Sequence, residues 1–166
     1  NQYSIYTFKN LRPKLFWLKG RVSIEEFINK KSVFLALNQA IPLYTSGKVI
    51  NFCHGLSYYF YSQYYSKKDV VRLNKQLKEM ISRSDKIIVS SQKVKAELVS
   101  INQLIDTKIV VLPFGIPLNM KKGKIKKKEK YFLFVGMDHQ IKNIYFIKQA
   151  FNEFKKDKKY KDYKLY

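Results

Sequence analysis

Apolar residues along this chain fall into short continuous runs, separated by segments in which they recur every three or four residues. Five runs are rich in β-branched and aromatic side chains and are bounded by polar or turn-forming residues, which predicts strands. These strands cover 32–37, 48–53, 86–89, 108–112 and 131–135. Strands of a parallel sheet buried on both faces are apolar throughout, and helical segments separate these runs. The pattern therefore predicts an α/β fold with a Rossmann-like parallel sheet.

Three segments have the spacing of amphipathic helices. The first covers 67–83, the second begins after Ser90 or Ser91, and the third covers about 143–155. The residues predicted to face inward in the third helix are Ile144, Ile147, Phe151 and Phe154. These helices lie between or after the predicted strands, as the crossovers of a parallel sheet do.

The two ends of the chain carry weaker signals. Residues 3–8 alternate as a strand does, 13–20 are expected to be irregular, and 22–28 predict a short helix. In that helix Ser23 is the expected N-cap and Glu26, three residues later, completes a capping box. A single strand and helix after residue 130 cannot bury a sheet face, and the first residue is not Met. We therefore expect a fragment that is incomplete at both ends.

Charge narrows the classes of partner. The 166 residues carry a formal net charge of +21, and 46% of them are apolar, which is enough for a real core. Such a charge favours nucleic acid, an acidic membrane face or phosphorylated substrates. The single cysteine, Cys53, excludes an intramolecular disulfide, and no apolar run approaches the ~20 residues of a membrane span. No Asp, Cys or His grouping has the spacing of metal ligands, so no metal site is expected.

The stretch 108–143 organises the chain around a turn, a basic segment and a second strand. A Pro-Phe-Gly turn ending at Gly115 leads into the lysine-rich segment 119–130, and the strand 131–135 then meets Gly136. A glycine between a buried strand and a helix lets backbone approach a ligand, and the helix N-terminus favours an anion. Lys142 adds a full positive charge at that helix start. These features predict a phosphate-bearing ligand between two lobes.

Five separated pieces, in this order and spacing, resemble glycosyltransferase family 4, the group 1 type of glycosyl transferases. They are Pro42, KVINFCHGLS at 48–57, SDKIIVSSQKVKAEL at 84–98, KIVVLPFGIPL at 108–118 and YFLFVGMDHQIKN at 131–143. The resemblance covers roughly 32–155. It implies a GT-B architecture of two Rossmann-like domains. Residues 1–118 would be the later part of the N-terminal, acceptor-side domain, 119–130 a hinge, and 131–166 the start of the nucleotide-sugar-binding domain.

The resemblance also implies an activity. The chain would belong to a retaining, hexosyltransferase-like enzyme that moves a sugar from a nucleotide diphosphate donor to a glycan or lipid-linked acceptor, in polysaccharide or glycoconjugate synthesis. The nucleotide-sugar is a substrate, so no cofactor is expected, and no specific nucleic acid partner is expected. The implied location is cytoplasmic, with an anionic membrane surface as a further partner on the inner face. Because the early glycine-rich loop and the later paired glutamates of the family are missing, this chain alone is expected to be inactive.

Four residues match positions with a role in that family. His54 matches the catalytic histidine beside donor sugar and acceptor, although the family's acidic neighbour is here Gly55. Gly136 and Lys142 match the glycine loop and the lysine that contact the donor diphosphate, although Met137 stands where many relatives have arginine. Gly115 matches the hinge turn, where we expect a positive φ that lets the chain cross between lobes.

Several alternatives stay open from the residues alone. His54 also fits a loop histidine bonded to backbone, and Gly136 with Lys142 fits an ordinary turn with a solvated lysine. The lysines of 121–130 fit a solvated linker, a membrane-facing patch or a nucleic-acid contact, and the tyrosines of 58–65 fit an acceptor groove or a packed wall. Two other functions remain: a basic nucleic-acid-binding module, with tyrosines for stacking, and a non-catalytic remnant.

Overall fold

The structure, a computed structural model, describes residues 16–120 and 129–166. The strand predicted at 3–8 and most of the lysine-rich hinge, 121–128, lie outside the described residues. The chain divides into two compact units, with the boundary between Phe114 and Gly115. We describe each unit by itself.

The first unit is built on a four-stranded parallel sheet. Its strands are β1 (Val33–Ala36), β2 (Lys48–Cys53), β3 (Lys86–Val89) and β4 (Ile109–Val111). They lie in the order β1-β2-β3-β4, so each strand pairs with its neighbour in sequence. The predicted α/β class and parallel sheet are confirmed. The bounds of β2 and β3 agree with the sequence pattern, and β1 and β4 are one residue shorter at each end.

Four α-helices accompany this sheet. They are α1 (Ser23–Ile28), α2 (Ser57–Phe60), α3 (Lys67–Arg83) and α4 (Gln92–Ile101). The Ser66 side chain accepts from Asp69 N and the Ser91 side chain accepts from Val94 N, so both long helices begin at a serine N-cap. The bounds predicted for α3 are confirmed, and of the two serines predicted as the cap of α4, Ser90 or Ser91, the cap is Ser91.

The core lies on one face of the sheet. Alternate residues of β2 and β3 are buried there, and α3 and α4 supply most of the apolar side chains packed against them. The members of this core are Ile41, Val49, Cys53, Leu56, Tyr58, Leu77, Met80, Ile87, Val89, Val94, Leu98, Ile105 and Ile109. The opposite face of the sheet is less covered: Leu35 and Val110 are about half exposed, and Ile50, Phe52 and Ile88 are half-buried.

The N-terminal part of this unit differs from the sequence prediction. A π-helix, Trp17–Val22, runs directly into α1, although 13–20 was expected to be irregular. Ser23 is therefore inside a helical segment and cannot be an N-cap. Its Oγ donates to Lys19 O, and the carboxylate of Glu26 accepts from Ser46 N and Oγ instead of closing a capping box. The local bond of Ser23 and the long-range bonds of Glu26 replace the capping box that the sequence predicted.

The loop between β1 and β2 closes tightly at Gly47. A Cβ built on Gly47 would lie 2.3 Å from the Lys31 carbonyl oxygen and 2.4 Å from Ser32 C, so the two backbone segments approach too closely for any other residue. Lys48 N donates to Ser32 O at the same crossing. Earlier in the loop, Ile41 and Pro42 are fully buried. The glycine thus permits the contact that aligns β1 with β2.

The second unit has two short parallel strands and one helix. They are β5 (Tyr131–Phe132), α5 (Ile144–Phe154) and β6 (Lys164–Leu165). β5 is shorter than the predicted strand 131–135, although Phe134 N still donates to Tyr166 O beyond the ladder. Along α5 the four residues predicted to face inward are half-buried, as predicted.

Aromatic rings fill the interior of this small unit. Phe132 lies edge-on to Phe151 and Phe154, and Phe154 stacks on Tyr160 with ring centroids 4.2 Å apart. Tyr163 contacts Phe132 as well. No residue of α5 is fully buried. The cluster therefore holds the helix on the two strands without forming a closed core.

Gly115 does not adopt the expected conformation. Among the described residues the glycine with positive φ is Gly55, and the non-glycine residue is Asn143. A Cβ added to Gly115 would meet nothing within 4 Å. The prediction of a positive φ at Gly115 is wrong, because the chain leaves the first unit through open space and no close approach constrains that backbone. Among the helices of 16–120 and 129–166, none has the length and apolar content needed to cross a membrane.

Candidate functional site

A polar pocket lies at the carboxyl ends of β1 and β2, and we call it the carboxyl-edge pocket. It encloses about 320 Å³. Its walls are residues 38–40 after β1, His54, Gly55 and Tyr58 after β2, and Arg72, Leu73 and Gln76 of α3. Ligands of open α/β sheets bind outside the carboxyl ends of the strands, because loops and helix starts converge there. The position of the pocket follows that rule.

His54 stands at the end of β2, exposed, and lines this pocket. Its Nε2 lies 2.8 Å from Leu37 O, so this nitrogen carries a proton and donates to the carbonyl. Its ring is near those of Phe52 and Phe114, at centroid distances of 6.4 and 5.7 Å. The hydrogen bond to backbone, which was one of the two interpretations of His54 from the sequence, is therefore present. The other ring nitrogen, Nδ1, is left to contact a ligand. In the neutral ring Nδ1 accepts a proton, and in the charged ring it donates to an anion.

Gly55 follows with φ of +154°, a conformation that residues with a Cβ rarely adopt. The acidic residue that the family has at this position would therefore be strained here. Gly55 O accepts from Gln39 Nε2 at 3.4 Å, which joins this turn to the loop after β1. The backbone conformation at position 55 therefore favours glycine over the acidic residue of the family pattern.

A buried network supports the floor of the pocket. Gln39 Nε2 donates to Cys53 Sγ at 3.5 Å, and Gln39 Oε1 accepts from Tyr58 Oη at 2.7 Å. Burial raises the pKa of the Cys53 thiol, and burial also raises the pKa of the Tyr58 hydroxyl. Both groups therefore stay protonated and neutral at physiological pH. They position the strand end and do not offer a nucleophile.

The tyrosines of 58–65 fitted two roles in the sequence, lining a groove or packing in a wall, and different residues of the segment take each role. Tyr58 is buried and lines the pocket, and Tyr65 packs on the core with its Oη 2.6 Å from Ser57 Oγ. Other rings of the segment are exposed by more than 40%: Tyr59, Phe60, Tyr61 and Tyr64. One tyrosine thus contributes to the pocket, and the exposed rings form a separate surface beside it.

Arg72 brings a permanent positive charge to the wall. Its Nη2 donates to Asp69 Oδ1 at 2.7 Å, one turn earlier on α3. The bond from Arg72, followed by one from Ser66 Oγ, holds the pKa of the Asp69 carboxyl below its usual range. Asp69 is not part of the wall, and none of the described residues that line the pocket is acidic.

Gly136 and Lys142 both belong to the connection between β5 and α5 in the second unit. Both are exposed. A Cβ on Gly136 would approach the Phe134 ring to 3.0 Å, so the turn is tight on that side. Lys142 ends a 3₁₀ turn, Gln140–Lys142, and its backbone N donates to His139 O. The lysine therefore stands immediately before the first turn of a helix, as its sequence position suggested.

The start of α5 is shaped by Asn143, which has a left-handed backbone (φ 47°, ψ 49°). Its Oδ1 accepts from Phe146 N at 3.3 Å and caps the helix. The preceding turn is capped in the same manner by Nδ1 of His139, which accepts from Ile141 N. The loop is thus closed by its own side chains. Lys142 keeps its charged end on the exposed surface.

A second cavity, of about 750 Å³, lies beside β1. Its lining is mainly apolar and includes Trp17, Val22, Leu35 and Leu37. In the described ranges, no three His, Cys, Asp or Glu side chains are placed to hold a metal ion. The candidate chemistry of the first unit therefore lies in the carboxyl-edge pocket.

Sequence reasoning found His54 and did not find its neighbours Asn38, Gln39, Arg72 and Gln76. The weak signal was the pair Arg72 and Gln76, four residues apart beside the apolar stripe of α3. Such a pair is also typical of an ordinary solvated helix face. Only the fold shows that this face meets the ends of β1 and β2.

Comparison with models of known protein families, with curated proteins and with solved structures gave no match for this chain. The family resemblance therefore stays a prediction from the sequence.

Proposed function

We propose that this chain is part of a retaining glycosyltransferase of GT-B type. It would transfer a sugar from a nucleotide diphosphate to a glycan or lipid-linked acceptor. The observation that carries the proposal is the carboxyl-edge pocket, in which His54 and Gly55 stand at the end of a parallel strand. This is the acceptor side in the family that the sequence resembles.

The first unit supports an acceptor site through its polar wall. A sugar hydroxyl both donates and accepts hydrogen bonds, and the wall offers His54 Nδ1 together with the amides of Asn38 and Gln76. Tyr58 adds an aromatic side chain at the floor of the same pocket. These groups are suited to orient an acceptor hydroxyl.

The second unit supports a donor site through its basic loop. Lys142 and the N-terminus of α5 would stabilise the diphosphate as negative charge develops on it. The bond from the sugar C1 to the diphosphate oxygen breaks, and the acceptor oxygen bonds to C1 on the same face. The acceptor proton passes to the departing phosphate oxygen, so no separate carboxylate base is required.

The test is a thermal-shift measurement on the full chain with UDP-, GDP- and ADP-sugars. We expect one nucleotide to raise the melting temperature, and Lys142→Ala to abolish the shift. Lys148→Ala is the matched control, since Lys148 is an exposed lysine of α5 away from the loop. No shift with any nucleotide, alongside salt-sensitive binding of RNA or DNA, would overturn the proposal in favour of a basic nucleic-acid-binding module.

A further inference from the structure

The hydrogen-bonding groups of the carboxyl-edge pocket are not evenly used. Several acceptors around it are already occupied within the protein: Asn38 Oδ1 by Ala40 N at 2.9 Å, Gly55 O by Gln39 Nε2, and Leu37 O by His54 Nε2. Gln39 Oε1 is occupied by the Tyr58 hydroxyl. Each of these four bonds also uses one donor, so the groups that remain decide what a ligand meets.

More donors than acceptors of the same wall remain unused. Among the described residues, the Asn38 amide nitrogen and the Gln76 side chain have no hydrogen-bond partner. Arg72 has five N–H groups and uses one of them toward Asp69. A ligand that fills this pocket therefore meets mostly N–H groups, since the acceptors that remain are Gln76 Oε1 and, in the neutral ring, His54 Nδ1.

Charge points to the same kind of ligand. Arg72 is the one permanently charged side chain among the described residues of the wall, and its planar guanidinium matches the oxygens of a carboxylate or phosphate. Its ion pair with Asp69 is exposed, with 54% and 46% of the two side chains accessible. Such a pair is weak and leaves the guanidinium able to bind a second anion.

We propose that the carboxyl-edge pocket binds an oxyanion, a phosphate or carboxylate carried by the acceptor, through Arg72 with the amides of Asn38 and Gln76. This inference rests on the proposed function in naming the ligand an acceptor. His54 stands in the same wall, so the anion would fix the acceptor beside its Nδ1. The acceptor class is then an acidic sugar or a sugar phosphate.

The test is an NMR titration of the ¹⁵N-labelled full chain, without any nucleotide-sugar, using glucose 6-phosphate, glucuronate and glucose as probes. We expect the Gly55 amide and the Asn38 and Gln76 side-chain amides to shift with one or both charged probes and not with glucose. Glucose 6-phosphate alone would identify a phosphate site, and glucuronate alone a carboxylate site.

Variants of α3 separate the pocket from the general charge of the protein. Arg72→Gln should weaken binding at least about tenfold, as expected for a charged hydrogen bond. Lys78→Gln removes the same charge from an exposed position of the same helix outside the wall, and should change binding by less than about twofold. Asp69→Asn should tighten binding, because it releases the guanidinium from its ion pair. Arg72→Lys keeps the charge without the planar fork and should bind between wild type and Arg72→Gln.

Equal binding of glucose, equal losses in Arg72→Gln and Lys78→Gln, or no shift of the pocket amides with millimolar probe would each overturn the inference. Its failure is distinct from that of the proposed function. A melting-temperature rise with one nucleotide-sugar that Lys142→Ala abolishes, in a chain whose pocket amides shift with neither charged probe, overturns this inference alone. Oxyanion binding at Arg72 in a chain that responds to no nucleotide-sugar overturns the proposed function alone.

Discussion

The imidazole of His54 ties the end of β2 to the end of β1, because its Nε2–H donates to the carbonyl oxygen of Leu37 over 2.8 Å. The residue singled out for chemistry therefore also has a structural bond. The two roles use different ring nitrogens and can be measured separately.

His54→Ala should lower the free energy of unfolding by about 0.5–1.5 kcal/mol, through loss of this hydrogen bond. Lost ring contacts with Phe52 and Phe114 add to that effect. Urea titration followed by circular dichroism measures the change. His139→Ala, at the other histidine, removes a turn cap in the second unit and should leave the chemical shifts of the Gly55 region unchanged. An unchanged stability in His54→Ala would show that the Leu37 bond is not formed in solution.

Asn51 is fully buried in the middle of β2, and its amide has no hydrogen-bond partner among the described residues. Its neighbours in register, Ala36 and Ile87, are apolar. Asn51→Leu has the same γ-branched shape and should stabilise the unit by about 1–3 kcal/mol, since an unsatisfied buried amide is costly. Thermal unfolding checks this. Asn51→Asp, which places a charge at the same site, should unfold well below wild type, and a destabilised Asn51→Leu would contradict the account.

Gly47→Ala should destabilise the first unit by about 1–3 kcal/mol, because its new Cβ would overlap the backbone at Lys31 and Ser32. For a chain of this size that corresponds to a melting temperature lower by roughly 2–4 °C per kcal/mol. Gly115→Ala is the matched control, since a Cβ there meets nothing within 4 Å. Equal melting temperatures for the two variants would show that the crossing at Gly47 is looser than described.

The raised pKa of Cys53 predicts a pH dependence of stability. Burial keeps the thiol protonated in the folded state, whereas in the unfolded chain it ionises near its ordinary pKa. The folded state then binds more protons than the unfolded one above that pH. The contribution to stability is fully present below the ordinary pKa and is lost as pH rises through the folded pKa.

Cys53 is the only cysteine in the sequence, so its alkylation rate reports this directly. We expect iodoacetamide to react slowly with the folded chain at pH 8 and quickly in denaturing urea, and the folded-state rate to rise only above the ordinary thiol pKa. Gln39→Leu, which removes the side chain that donates to Sγ, should raise the apparent pKa further. Rapid reaction of the folded chain at pH 8 would contradict the buried position.

The sequence predicted the strands and long helices of the first unit well because local signals agreed there. Local sequence signals predicted the same elements that tertiary packing stabilises: the run KIIV, the serine caps and the apolar stripe of α3. Prediction failed at Ser23, whose Oγ donates to Lys19 O one turn earlier and accepts from the distant Tyr44 N. No local pattern contains the contact with Tyr44.

The pocket was predictable only in part. His54 at the end of a strand could be read from the sequence, because parallel strands place their carboxyl ends at one edge. The contribution of Arg72 and Gln76 depends on how α3 packs against the sheet, which is set by the core around Leu77 and Met80. At Gly115 the sequence predicted a constraint that the structure lacks. The Pro-Phe-Gly turn predicted a positive φ, but no neighbouring atom constrains the backbone there.

The unequal covering of the two sheet faces has a consequence for how the protein behaves in solution. In the described residues, α3 and α4 cover one face of the sheet. The other face is apolar and partly exposed to solvent, and its residues are Leu35, Ile50, Phe52, Ile88 and Val110. Parallel sheets are usually covered on both sides, and contiguous exposed apolar surface promotes association. The colloidal behaviour of the chain will then reflect two opposing forces: attraction between these faces and mutual repulsion from a net charge of +21. Raising the salt concentration screens the repulsion and leaves the attraction, so solubility should fall as ionic strength increases.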